Sequence, residues 1–169
     1  MSMLPSVFVL SALALVALVL TRARPIAGNM AIRRDAAHSL ALAIGAQGAH
    51  FAEEAATGLH EQLPALLGQS AMPFAVFLLF NVAWLAIWAA SVPGLRSGRP
   101  AAFFAAWFLA IAGLFNGVAH PLLAVAAGGY FPGLVSSPVI GVAGALVLIR
   151  LRRATQREVS GFRGGGVGP

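Results

Sequence analysis

Residues 4–20, LPSVFVLSALALVALVL, form an apolar run without a single charge, and runs of the same kind recur at 74–92 and 101–129. A helix needs roughly 20 such residues to cross about 30 Å of hydrocarbon, where every backbone polar group must be satisfied within the helix itself. Composition points the same way: the 169 residues are 59% hydrophobic and 9% charged, against about 25% charged in an ordinary soluble domain. The expected fold is all-α, a polytopic transmembrane helical bundle of about five spans at 4–20, 35–57, 74–92, 101–129 and 134–151. No internal repeat is evident.

The charges between the runs set the expected topology. Lysine is absent, and every basic residue is arginine. Arg22, Arg24, Arg33 and Arg34 lie between the first two spans, Arg96 and Arg99 in the turn at 93–100, and Arg150, Arg152, Arg153, Arg157 and Arg163 after the last span. Cytoplasmic loops concentrate such residues. Five spans put all of them on the cytoplasmic side, with the N-terminus outside and the C-terminus inside, a multi-pass protein of the cytoplasmic membrane. Four spans, with 35–72 in the interface, would split the first two basic stretches between opposite sides. The first run lacks a basic n-region and a clear cleavage site, so it reads as a retained span rather than a signal peptide. The division expected is 1–24 as an N-terminal span, 25–152 as the main helical domain and 153–169 as a disordered Arg/Gly-rich tail. Trp88 and Trp107 are expected at the inner interface, Tyr130 and Phe131 at the outer. The net charge of +6 reads as topology and contact with anionic lipid; no nucleic-acid partner is expected.

The second span carries the chemistry. Asp35, His38, Ser39, Gln47, His50, Glu53 and Glu54 all fall in it, so its polar stripe must face the bundle rather than lipid. In His50-Phe51-Ala52-Glu53-Glu54 the two acids lie three and four residues after the histidine, on one helical face. His50 lies 15 residues after Asp35, and Asn116 and His120 lie 15 and 19 residues after Ala101, so at ~1.5 Å per residue they reach similar depths. Asn81 descends to a comparable level.

Glu53, Glu54 and Glu61 lie in the outer half with no lysine or arginine to pair with them, and an uncompensated charge in hydrocarbon is costly. A proton, an imidazolium or a bound cation must offset it. The candidate metal residues are His50, Glu53, Glu54, Asn116 and His120. His50, Glu54 and His120 are its central ligands, Glu53 a fourth ligand or the base acting on a metal-bound water, and Asn116, with Asn81, orients ligands or substrate. Imidazole and carboxylate suit zinc, iron or manganese alike. Without metal, His50, Glu53, Glu54 and His120 form an acid–base set suited to moving a proton on a lipophilic substrate. A binding or transport role for a small molecule, metal ion or proton uses the same residues. The absence of cysteine removes thiolate ligands, disulfides and cysteine nucleophiles. His38 and His60 read as ordinary bundle residues, Asn81 with Trp84 and Trp88 as interhelical packing, and 60–73 as an outer loop.

His50-Phe51-Ala52-Glu53-Glu54, Thr57-Gly58, Phe80-Asn81-Val82-Ala83-Trp84, the Asn116-to-His120 spacing and Tyr130-Phe131-Pro132-Gly133 occur in that order. The chain thereby resembles the HXXEE-domain family of small bacterial membrane proteins over most of its length from the second span onward. Ser136 and Ser137 stand where the resemblance leads one to expect a threonine after the turn, which keeps a hydroxyl there. The resemblance implies the domain and no particular activity.

Overall fold

The structure is a computed structural model and describes residues 4–156. Arg157, Arg163 and most of the expected tail lie outside the described residues. Six helices follow one another: α1 (Leu4–Ala23), α2 (Met30–Thr57), α3 (Leu59–Leu66), α4 (Phe74–Arg96), α5 (Pro100–Ala127) and α6 (Ser137–Ala154). The fold is all-α.

Local chemistry explains where the helices begin and end, and where they differ from expectation. α2 starts at Met30 rather than near Asp35 because the Asn29 side chain accepts from the Ile32 N–H at 3.1 Å and caps it. It ends at Gly58, whose left-handed φ of 80° lets its N–H reach back to the Glu54 carbonyl. The expected outer loop at 60–73 is in part the short helix α3. Leu59 and Pro64 of α3 are buried and Leu63 partly so, Glu61 sits in its favourable first turn, and Gln62 Nε2 donates to the Thr57 carbonyl at 2.7 Å. α4 continues through Pro93 to Arg96, further than the basic turn suggested, and α5 runs through Pro121.

α5 is the centre of the bundle, packing against α6, α4 and α1, while α2 packs against α6 and α4. The α5–α6 contact is a close backbone approach. A Cβ at Gly117 would lie 2.8 Å from Gly141 Cα, and one at Gly144 would lie 2.7 Å from the Ala110 carbonyl oxygen. Small residues are what allow two helices to approach so far. On α2, Ala36, Ala37, Leu40 and Ala43 are fully buried. Trp88 Nε1 donates to the Ala105 carbonyl at 3.0 Å and ties α4 to α5.

Three expectations about polar and aromatic residues change here. Trp107 is fully buried on α5 rather than at an interface, and Phe131 is buried with Leu59, Phe77 and Ala124. Trp107 follows from the rotation of α5, which depth along the chain does not specify, and Phe131 from the loop between α5 and α6 folding inward onto the bundle. Asn81 Nδ2 donates to Phe77 O, at 3.0 Å on its own helix, rather than across to a neighbour.

The ends of the bundle differ in charge. Gly28 N–H donates to the Ala154 carbonyl at 2.8 Å, Arg33 Nε to the Arg96 carbonyl at 3.2 Å, and Arg150 lies 3.6 Å from Asp35. These contacts bring the C-terminal ends of α4 and α6 to the start of α2, and with them Arg33, Arg34, Arg96, Arg150, Arg152 and Arg153. α4 and α5 are long and apolar enough to cross a membrane. The outward sides of the helices are apolar, with Leu42, Leu79 and Val125 all more than 70% exposed.

Candidate metal centre

At the opposite end, three helices and one loop meet. α2 brings His50 and Glu54, one helical turn apart, and α5 brings His120. The loop at 128–136 closes over them before entering α6. His50 is fully buried, and Glu54 and His120 are 6% and 5% exposed. Glu54 Oε1 lies 3.2 Å from His50 Nε2 and 3.3 Å from His120 Nε2. The two imidazoles meet edge to face with centroids 4.7 Å apart. One ligand atom from each of the three residues falls within 4.8 Å of the others, a group that can hold a metal ion.

Counting protons shows which ring nitrogens are free. His120 Nδ1 lies 2.6 Å from the Pro132 carbonyl oxygen, which only accepts, so that nitrogen carries a hydrogen. His50 Nδ1 lies 2.8 Å from Ser136 Oγ. The hydroxyl has one hydrogen and gives it to Glu53, in a short contact with Oε2, so towards His50 it accepts. Both histidines therefore donate from Nδ1, and in their neutral forms both turn a lone pair at Nε2 towards the Glu54 carboxylate. Three lone pairs facing one another repel unless a cation or a proton sits among them. His50 Nε2 makes no aligned hydrogen bond among the described residues, despite the nearby carboxylate.

The dimensions suit an ion. Ligands about 2.1 Å from a tetrahedral metal lie ~3.4 Å from one another, close to the two separations observed here. The outer contacts suit it as well, because metal-binding imidazoles characteristically donate their second nitrogen to a carbonyl or carboxylate, which fixes tautomer and ring orientation. His120 does so directly to Pro132, and His50 does so through Ser136 to Glu53.

Glu53 sits beside this group and not within it. Its carboxylate accepts from Tyr130 Oη at 2.7 Å, from Val135 N at 3.0 Å, from Ser136 N at 2.7 Å and from the Ser136 hydroxyl. It pins the loop down on the histidines. Tyr130 is pushed above the usual phenol pKa, by desolvation first and then by donation to Glu53. The loop fits only because Gly133 has no side chain. Its φ is 86°, and a Cβ there would stand 2.6 Å from His120 Cε1 and Nδ1 and 2.8 Å from His50 Cε1.

Of the candidate residues, the structure thus gathers His50, Glu54 and His120, and turns Glu53 towards the loop. Asn116 lies half-buried one turn before His120 on α5, outside the group of three. His38 is exposed at the arginine end, and His60 packs on Phe74 and Phe77 with Nε2 3.5 Å from Glu61. The sequence marks Tyr130-Phe131-Pro132-Gly133 as a motif without a site role, whereas the structure uses the Pro132 carbonyl and the bare Gly133 in the site. Tyr130 is expected as a turn and outer-interface residue and Ser136 as a hydroxyl after the turn, and both are found bonded to Glu53. The one signal available was that a hydroxyl follows the Tyr130–Gly133 turn.

A helical bundle with a buried His/Glu/His group, roofed by a glycine-containing loop, is the class of protein that the fold and site define. Within that class the chain belongs to the HXXEE family, described as proteins of unknown function with an HXXEE motif, whose model matches residues 41–148. That stretch holds the whole site and leaves out α1. No curated protein and no solved structure matches the chain.

Proposed function

We propose that the chain is a metal-dependent membrane enzyme in which His50, Glu54 and His120 hold one divalent ion, zinc, iron or manganese, and which acts on a lipophilic substrate. The observation that carries this reading is the convergence of two Nε2 lone pairs on Glu54 Oε1 at 3.2 and 3.3 Å, with each Nδ1–H already committed elsewhere. Three protein ligands leave a coordination position open, as catalytic sites do and closed structural sites do not. An ion held there would supply Lewis-acid polarisation of a carbonyl or phosphoryl oxygen. The chain's own contribution is orientation and exclusion of water. Glu53 and Ser136 fix the His50 tautomer, Pro132 fixes that of His120, and the roof loop keeps bulk solvent off.

The proposed setting is a five-span bundle in the cytoplasmic membrane with its arginine end inside. The grouping of arginines at one end of the helices supports it, as does the apolar outer surface of α4, α5 and α6. The site then lies in the outer half, within reach of molecules dissolved in the bilayer.

The test is elemental analysis of detergent-purified protein prepared without chelators. Near-stoichiometric metal is expected in the wild type, and background levels in His50→Ala and His120→Ala. A folded wild type that takes up no zinc, iron or manganese on re-addition would sink the metal reading. The same separations of 3.2 and 3.3 Å also suit a proton shared between Glu54 and an imidazole, and this supports an acid–base or proton-handling role as the second reading. Activity or proton flux from metal-free protein would select it.

A further inference from the structure

At the arginine end, the start of α2 and the end of α4 enclose a cleft of about 550 Å³ lined by Met30, Arg34 and His38 from one helix and Pro93, Arg96 and Ser97 from the other. We propose that this cleft binds an anionic phospholipid, with the headgroup phosphate between Arg34 and Arg96 and an acyl chain laid between α2 and α4. The proposal rests on the membrane setting above and is independent of the metal.

The charge in the cleft is unanswered. Neither Arg34 nor Arg96 has a carboxylate partner among the described residues, and Asp35, the only acid among them at this end, faces Arg150 at 3.6 Å. The neighbouring arginine is used differently. Arg33 donates from Nε to the Arg96 carbonyl at 3.2 Å and from Nη1 to the Gly28 carbonyl at 2.9 Å, so it fastens the end of α4 to the start of α2. That contact shapes the cleft and leaves two guanidinium groups for a ligand. Arg34 and His38 lie four residues apart on α2, and Arg96 lies beside Ser97 on α4, so donors approach from both walls.

The apolar lining separates a lipid from a free anion. Met30 and Pro93 share the cleft with the arginines. Following the same helical faces away from it leads to Leu42 and Gly45 on α2 and to Ala86 and Ala89 on α4, all exposed. The exposed residues on these faces are apolar and mostly small, a surface along which a hydrocarbon tail leaving the cationic cleft can lie. A phosphate with a hydrocarbon tail matches both parts, whereas inorganic phosphate matches one. Basic pockets between helices on the cytoplasmic side are a known means of holding acidic headgroups.

The test uses the full chain in nanodiscs of phosphatidylcholine with a minority of phosphatidylglycerol, followed by native mass spectrometry of lipids retained on release. Wild type is expected to keep phosphatidylglycerol in preference to phosphatidylcholine. The double variant Arg34→Gln/Arg96→Gln is expected to lose that preference by ~10-fold or more. Arg152→Gln/Arg153→Gln, which changes two exposed arginines of the same end outside the cleft, is expected to retain it. Equal loss in both pairs would show diffuse surface attraction, and no loss in either would show no site. Displacement of the lipid by millimolar inorganic phosphate would show an anion site without a tail. Any of the three overturns the proposal. Failure of the membrane setting would be visible separately, as protein recovered outside the nanodiscs.

Discussion

The two ends of this bundle handle charge in opposite ways. At the arginine end Arg34, Arg96, Arg99, Arg152 and Arg153 are exposed, and the one ion pair there among the described residues, Arg150 with Asp35, joins side chains that are 39% and 59% exposed. Geometry there is loose because solvent or lipid headgroups can satisfy each charge separately. At the other end Glu54 and two histidines are buried, and each assigned proton depends on the next contact: Pro132 sets His120, while Glu53 sets Ser136 and Ser136 sets His50. Distance from water converts a set of independent charges into one interdependent arrangement. The effects of substitution should therefore be large and coupled at one end, and small and additive at the other.

The most severe test of that contrast is Gly133→Ala. A methyl there must enter the space held by both imidazoles and also accept a φ of 86°. We expect loss of bound metal and a fall in stability of roughly 2 kcal/mol or more, measured by thermal unfolding in detergent. Gly68→Ala separates the two causes. Gly68 has a φ of 67° with nothing near its absent Cβ, so it should cost only about 1–2 kcal/mol of backbone strain and leave metal in place. Equal effects of the two would mean that the roof does not press on the histidines.

Next comes Ser136→Ala, which removes the acceptor of the His50 Nδ1–H and one donor to Glu53. Metal affinity should fall ~10–100-fold, as for loss of other outer-shell partners. The ¹⁵N shifts of His50 should show the tautomer shifting to Nε2–H, and Ser136→Thr should restore both. Unchanged tautomer and affinity in Ser136→Ala would remove the proton count on which the site rests. Glu53→Gln probes the same chain one step further out. It should accelerate hydrogen exchange at the Val135 and Ser136 amides, because a neutral acceptor holds the loop more weakly.

Much of this was legible in the sequence, for reasons that also mark where legibility ended. Four of the five long helices follow from apolar runs and arginine punctuation, α2 from the polar stripe between two such runs, and the similar depth of His50 and His120 from counting residues along two helices. Counting fixes depth and leaves rotation open. His50 shares a face with residues three and four ahead, yet Glu53 and Glu54 are about 100° apart on the helix. The packing of Leu40, Ala43 and Gln47 decides which of them turns inward. The same ambiguity put Trp107 at an interface when it belongs in the core. Pro132 acts through a carbonyl that every residue possesses, so its side chain announces nothing. α3 was hidden because Leu59, Leu63 and Pro64 lie in a stretch too short and polar to resemble a span.

The smallest expected effect completes the contrast. Asp35→Asn breaks the only ion pair at the arginine end among the described residues, with 3.6 Å between exposed partners. Exposed pairs of this kind contribute about 0–1 kcal/mol, since the Coulomb attraction is screened and two long side chains must be held still to keep it. Ser39, one turn on, bonds to the Asp35 backbone carbonyl at 3.0 Å and is untouched by the substitution. Thermal unfolding should shift by no more than ~1 kcal/mol, and metal content should not change. If Asp35→Asn instead cost as much as Gly133→Ala, the acid would be tying α2 to α6 in a way that its exposure hides. The arginine end would then be as interdependent as the histidine end, and the contrast between them would fail.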